Sequence, residues 1–284
     1  MRFVRGGVIG AAIFLAACGS KPHTQVSAPT GNWISLFNGH DLTGWTPRIA
    51  GEDAGVNYHN TFRVENGLLK VSYQDYDRFA DHFGSLYYNT PYSRYWLRVE
   101  YRFVGDAAPG APAWAWRNSG IQLHSQPPTS LARNQQFPVS VEFDLVGSRM
   151  LGHPTGDVCH YGTRVSLQGK PLKELCSKVS DVVIRGDEWV TAVAQVDGSR
   201  LVRQIVNGAL IVEYTDLALD DSNADAHRLL ASGASKTLSS GLVSLQSNGA
   251  PVEFRRIELL PMDQDPAAAS AHAGDTTGGT VTKP

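Results

Sequence analysis

Three short stretches of this 284-residue chain set carboxyls, an imidazole and carboxamides at alternate positions. In Asn118-Ser119-Gly120-Ile121-Gln122-Leu123-His124, an extended strand puts Ile121 and Leu123 on one side and Gln122 and His124 on the other. Between Val139 and Leu145 the apolar residues again share a side, and Ser140, Glu142 and Asp144 take the opposite one. In Val243-Ser244-Leu245-Gln246 the amide of Gln246 falls on the polar side. An antiparallel sheet can simply turn a polar side to water. The residue types argue for more than that, because an imidazole, two carboxyls and interleaved amides can bind hydroxylated ligands, hold a cation, or move protons. Asn118 adds an amide, and Trp114 and Trp116 stand just before it in a Pro/Gly/Ala-rich loop. Their rings suit the apolar faces of pyranoses, or equally the capping of a core. His153, Asp157, His160 and Tyr161 surround Cys159 and could rim a site, although nothing in their spacing is diagnostic of a metal centre.

The elements that must position these groups are β throughout. Tyr95, Leu97, Val99, Tyr101 and Phe103 alternate with Trp96, Arg98, Glu100 and Arg102, a period of two. Asn66-Gly67, Asp197-Gly198 and Asn207-Gly208 each read as a two-residue hairpin turn between strand-like segments. The last two define a three-stranded meander from Trp189 to Tyr214. The only helical-looking piece is short, from Asp220 to Leu230. Many short antiparallel strands in one domain predict a two-sheet sandwich or jelly roll. A formal net charge of −2 without a basic stripe argues against a nucleic-acid partner.

The ends of the chain read differently. Met1 to Arg5 is basic, Gly6 to Ala17 is apolar, and Leu15-Ala16-Ala17-Cys18 follows the pattern of a cleaved, acylated bacterial signal. The apolar run is about 12 residues, whereas a spanning helix needs about 20. Residues 1–17 are therefore expected to be a signal peptide, with the membrane engaged through lipid on Cys18; a plain secretory peptide with an incidental Cys18 is the other reading. The absence of an acidic residue at Gly19 or Ser20 favours the outer membrane, on its periplasmic or surface side. Residues 18–32 read as a flexible tether, 33–262 as one domain, and 263–284 as a disordered tail. In an oxidising compartment the remaining pair, Cys159 and Cys176, is expected to form a disulfide rather than two free thiols or half a metal site.

Trp33-Ile34-Ser35-Leu36-Phe37-Asn38-Gly39-His40-Asp41-Leu42-Thr43-Gly44-Trp45 resembles the opening signature of the 3-keto-disaccharide hydrolase domain family. The resemblance continues through Asn118-Ser119-Gly120-Ile121, the Glu142 strand, Asp187-Glu188-Trp189 and Val206-Asn207-Gly208, and closes with Leu245-Gln246 and Val252-Glu253-Phe254-Arg255-Arg256-Ile257. It implies a concanavalin-like jelly roll, a fold class that agrees with the strand pattern. It also implies action on glycosides oxidised at carbon 3, by removal of the C2 proton, elimination of the C1 substituent and hydration. That chemistry needs a base, an acid and a means of stabilising an enolate, either a divalent cation or hydrogen-bond donors. On this resemblance Glu142 is the expected base or cation ligand. His124 is its expected partner, for proton transfer or for holding the ketone, and Asp144 completes the catalytic set. Gln122, Gln246, Trp116, Asn118 and Arg255 are expected to hold the carbohydrate substrate. A lectin-like envelope protein that binds glycans without catalysis is the alternative.

Overall fold

A computed structural model describes residues 23–148, 154–184 and 187–262. Cys18, the signal segment, His153 and the C-terminal tail lie outside the described residues. In chain order the strands begin with β1 Ile34–Ser35, β2 Trp45–Ile49, β3 Phe62–Glu65, β4 Leu68–Val71, β5 Gly84–Tyr88 and β6 Arg94–Phe103. They continue with β7 Asn118–Ser125, β8 Ser140–Val146, β9 Val158–Tyr161, β10 Thr163–Leu167 and β11 Lys170–Pro171. The last are β12 Val190–Asp197, β13 Leu201–Val206, β14 Ala209–Leu219, β15 Leu242–Ser247 and β16 Val252–Pro261. They form two antiparallel sheets, a jelly-roll sandwich. One runs β11-β10-β14-β13-β12-β6-β16-β4-β3 with β1 on β16, and the other runs β2-β5-β15-β7-β8-β9.

Alternation explains the core. Tyr95, Leu97, Val99, Tyr101 and Phe103 of β6 are all buried, facing Ile121 and Leu123 of β7, Val141, Phe143 and Leu145 of β8, and Leu245 of β15. Chain connectivity then decides which polar strands meet. In the six-stranded sheet β15, β7 and β8 are neighbours, with Ser244 opposite Gln122 and Gln122 opposite Glu142. Three segments spread over more than a hundred residues thus contribute to one polar surface.

Three local expectations need correction. The Asp197-Gly198 turn is not a two-residue hairpin: Asp197 pairs with Leu201, so three residues form the loop. Asp197 holds that wider loop through ion pairs with Arg94 and Arg200. The helix is shorter than Asp220 to Leu230 suggests; α1 spans Ala224–Ala231, because the Asn223 side chain accepts from the Asp225 and Ala226 amides and caps it there. The tether is not free along its whole length, since Val26 N donates to Gly208 O at 2.8 Å and Leu210 N donates to Thr24 O at 2.9 Å. Those bonds satisfy the open side of the β13–β14 turn.

Cys159 and Cys176 are bonded, with a sequence separation of 17. The bridge ties the 170–176 strap to β9 beside Glu142, which pairs with Cys159. On the chain-entropy account a loop of that size contributes about 3 kcal/mol. Cys176→Ser should therefore lower the free energy of urea unfolding by about that amount. A curve unchanged from wild type under non-reducing conditions would deny the bridge a structural role.

Candidate functional site

The polar surface of the six-stranded sheet is floored by side chains two apart on each strand. Ser85 and Ser244 hydroxyls both donate to Gln122 Oε1 at 2.7 Å, fixing that carboxamide with its amide end free. Gln122 Nε2 is buried and has no hydrogen-bond partner among the described residues. Beside it Gln246 Nε2 donates to Glu142 Oε2 at 2.9 Å. The chain of amides continues: Asn248 Nδ2 donates to Gln246 Oε1 at 2.5 Å and to Asn118 Oδ1 at 2.6 Å. Asn118 Nδ2 then donates to Asp144 Oδ1 at 3.0 Å. A run of three carboxamides therefore joins the two carboxyls, one at each end.

Gly120 makes the Glu142 position possible. It lies between Gln246 and Asp144 in the sheet, and a Cβ built there would sit 2.5 Å from Glu142 Cδ and Oε1. The Glu142 side chain lies across the bare backbone of Gly120.

The surface is roofed as well as floored. Phe137 stacks on Tyr161 at 4.9 Å and meets Phe83 at 5.2 Å. Tyr161 ends β9 and Phe83 precedes β5, so Phe137 links residues from the two sides of the polar surface. Trp114, which is exposed, extends the row by stacking on Phe83 at 5.6 Å. The loop carrying Phe137 is clipped down by Arg48, whose Nη2 donates to the Ala132 and Arg133 carbonyls at 2.8 and 3.0 Å.

This enclosure sets the ionisation of the carboxyls. Burial pushes Glu142 well above the usual carboxylate range, and the charge of Asp144 pushes it further; the Gln122 and Gln246 amides oppose the rise only in part. Burial also raises Asp144, to about 7, against the Asn118 hydrogen bond and with help from the charge of Asp157. The two are coupled, and Asp144, whose side chain is only half-buried, ionises first. Burial raises the Tyr161 phenol too, reinforced by Glu142 and Asp144, so its hydroxyl stays protonated beside them.

Of the expected residues, Glu142, Asp144, Gln122, Gln246 and Asn118 come together. His124 does not. The ladder slips between Leu242 and Ser244, and His124 takes the left-handed region with φ 50°. Gly241 packs against its backbone, where a Cβ would fall 2.5 Å from the His124 carbonyl carbon. The ring is thereby turned to the core, edge-on to Tyr95 at 6.1 Å, with Nε2 donating to Gly198 O at 3.2 Å. Burial lowers its pKa to about 4, so it stays neutral.

Arg255 lies on the outer face of the other sheet. It pairs with Glu100 at 2.5 Å and lies over Trp189, which also carries Arg102. Trp116 flanks the start of β7, half-buried, with the Arg117 guanidinium 5.2 Å from its ring centre. Asp157 accepts from Ser177, Val179 and Ser180, and His160 clasps the Thr163 and Glu174 carbonyls; both hold loops rather than rim a site. Tyr161 moves the other way, from rim to centre. Gly120 and Asn248 are members that sequence reasoning missed. Asn248 had a signal, as the next step of the 244, 246 alternation.

The donor set does not suit a resident divalent cation. Among the described residues no three of His, Cys, Asp and Glu converge, and the Gln122 and Gln246 carbonyls already accept hydrogen bonds. What the arrangement can do is exchange protons between two carboxyls of unequal acidity under an aromatic cover.

The model of the 3-keto-alpha-glucoside-1,2-lyase-like domain family matches residues 32–260. The chain belongs to that family. This carbohydrate-active domain is similar in structure to a proposed glycosyl hydrolase from Parabacteroides distasonis ATCC 8503, at 17% identity over 81% of this chain and 94% of that one, with a TM-score of 0.48. It is also similar to the carbohydrate binding module CBM66 from Bacillus subtilis, at 10% identity over 75% and 93%, with a TM-score of 0.43. A lectin I-B4 from Griffonia simplicifolia matches at 10% identity over 81% and 99%, with a TM-score of 0.38. No curated protein matches the chain.

Proposed function

We propose that this domain cleaves 3-keto-glycosides by elimination across C1 and C2 followed by hydration. The observation that carries the reading is Glu142 and Asp144 two apart on one buried strand face and joined through three carboxamides, with burial holding Glu142 the less acidic of the two. The ketone acidifies the C2 hydrogen. Asp144, the more exposed and more acidic, takes that proton as carboxylate. The electron pair forms the C2–C3 enolate, then the C1–C2 double bond as the C1–oxygen bond breaks. Glu142 gives its proton to the departing oxygen. Water adding at C1, with a proton returned to C2, completes a net hydrolysis. The enolate oxygen needs donors rather than a base. Gln122 Nε2, buried without a protein partner, and the Tyr161 hydroxyl are suited to that task.

Purified domain should release aglycone from a 3-keto-glucoside and leave the unoxidised parent intact. Because Asp144 must be ionised, kcat/KM should fall below an apparent pKa of about 7. Binding of both glycosides without turnover of either would make the protein a glycan-binding module instead.

We also propose that the domain works in the bacterial cell envelope, held at the outer membrane by lipid on Cys18. Cys18→Ser should move the protein from the membrane to the soluble periplasmic fraction; unchanged partitioning would sink the anchor.

A further inference from the structure

Beside the Tyr161–Phe137 stack lies a cavity of about 340 Å³ that the elimination chemistry does not use. Its remaining walls include Asn134, Gln136, Asn223, Asp225 and Leu175. We infer that this cavity is the subsite for the leaving-group sugar of a disaccharide substrate.

Size and lining both point to a monosaccharide. Small-ligand sites begin at about 300 Å³, so the cavity takes one ring and little more. One wall is aromatic, with the paired Tyr161 and Phe137 rings only 13° from parallel, and Leu175 adds a further apolar contact. The other walls carry carboxamides, which both donate to and accept from hydroxyls, and a carboxylate, which accepts from them. Asn134 and Gln136 are exposed, and neither side chain makes a hydrogen bond among the described residues, so both remain available to a ligand.

Placement supplies the link to the reaction. Tyr161 belongs to both regions, lining the cavity while standing on β9 two residues from Cys159, which pairs with Glu142. A sugar in the cavity therefore lies against β9, the strand paired with the one that carries Glu142 and Asp144. The disulfide-bridged strap fixes Leu175 at the far wall, as His160 N donates to Leu175 O at 3.0 Å next to the Cys159–Cys176 bond.

The assignment rests on Glu142 and Asp144 being the reaction centre, and the test separates the two. Asn134→Ala/Gln136→Ala removes two polar contacts at the cavity and none within the fold. KM for a 3-keto-disaccharide should rise about tenfold, while methyl 3-keto-glucoside, which has no second ring, should be unaffected. Equal effects on both substrates, or on neither, would overturn the subsite. If wild type turns over neither substrate, the proposed chemistry is what fails. Titration of the unoxidised disaccharide against isotope-labelled Leu175 methyl groups then decides the cavity by itself. Shifts in wild type that are lost in the double variant support it, and no shift in wild type refutes it.

Discussion

Glu142→Gln should lower turnover of a 3-keto-disaccharide by about 10²- to 10⁴-fold, the usual range for a lost acid–base group. The substitution preserves shape and an acceptor for Gln246 Nε2, so substrate binding should change little. What it removes is the proton that burial and the neighbouring Asp144 charge keep on Glu142 at neutral pH. Its role as acid makes a further demand. A sugar leaves poorly without protonation, whereas a nitrophenol leaves well without it. The deficit should therefore shrink when the aglycone is nitrophenol. Asp144→Asn removes the base and should depress both substrates alike. An equal deficit for both aglycones in Glu142→Gln would assign Glu142 as base instead, and recovery of activity with added divalent cation would assign it as a ligand. His124→Asn serves as the control, since Asn tolerates the left-handed conformation that His124 adopts. It should cost stability and leave the pH profile in place. A shifted profile would return His124 to the chemistry.

Gly120→Ala should disable the same site from the backbone side. The new methyl would lie 2.5 Å from Glu142 Cδ and Oε1 and 2.7 Å from Cγ, so the carboxyl must move. Movement breaks the Gln246–Glu142 hydrogen bond and strands a buried acid. Overpacking of this kind costs about 1–3 kcal/mol, and kcat should fall as far as in Glu142→Gln. The two losses have one cause, which the double variant exposes. Gly120→Ala/Glu142→Ala removes the overlapping atoms and should unfold at a higher temperature than Gly120→Ala alone. If Gly120→Ala keeps wild-type turnover, Gly120 is not what cradles the carboxyl.

Much of this site was legible because strand alternation is local. A period of two is imposed by the backbone of each strand, whatever its neighbours. It therefore identified Gln122, Glu142, Asp144 and Gln246 as sharing polar sides, and the apolar partners Ile121, Val141, Phe143 and Leu245 as core. The same rule misplaced His124, because a slipped register and one left-handed residue reverse alternation where Gly241, just before β15, packs against its backbone. It misplaced Arg255 for another reason. Both sheets turn a polar side outward, so alternation tells which side of a strand a residue occupies and not which sheet the strand joins. The ladder decides that, and it puts Arg255 on β16 beside Glu100 of β6, on the far side of the sandwich from Glu142. Enclosure was likewise out of reach. Phe137 brings together Phe83 and Tyr161, one 54 residues before it and the other 24 after. The sequence determined which groups could do acid–base chemistry; tertiary packing alone took them out of water, and that desolvation separates the acid from the base.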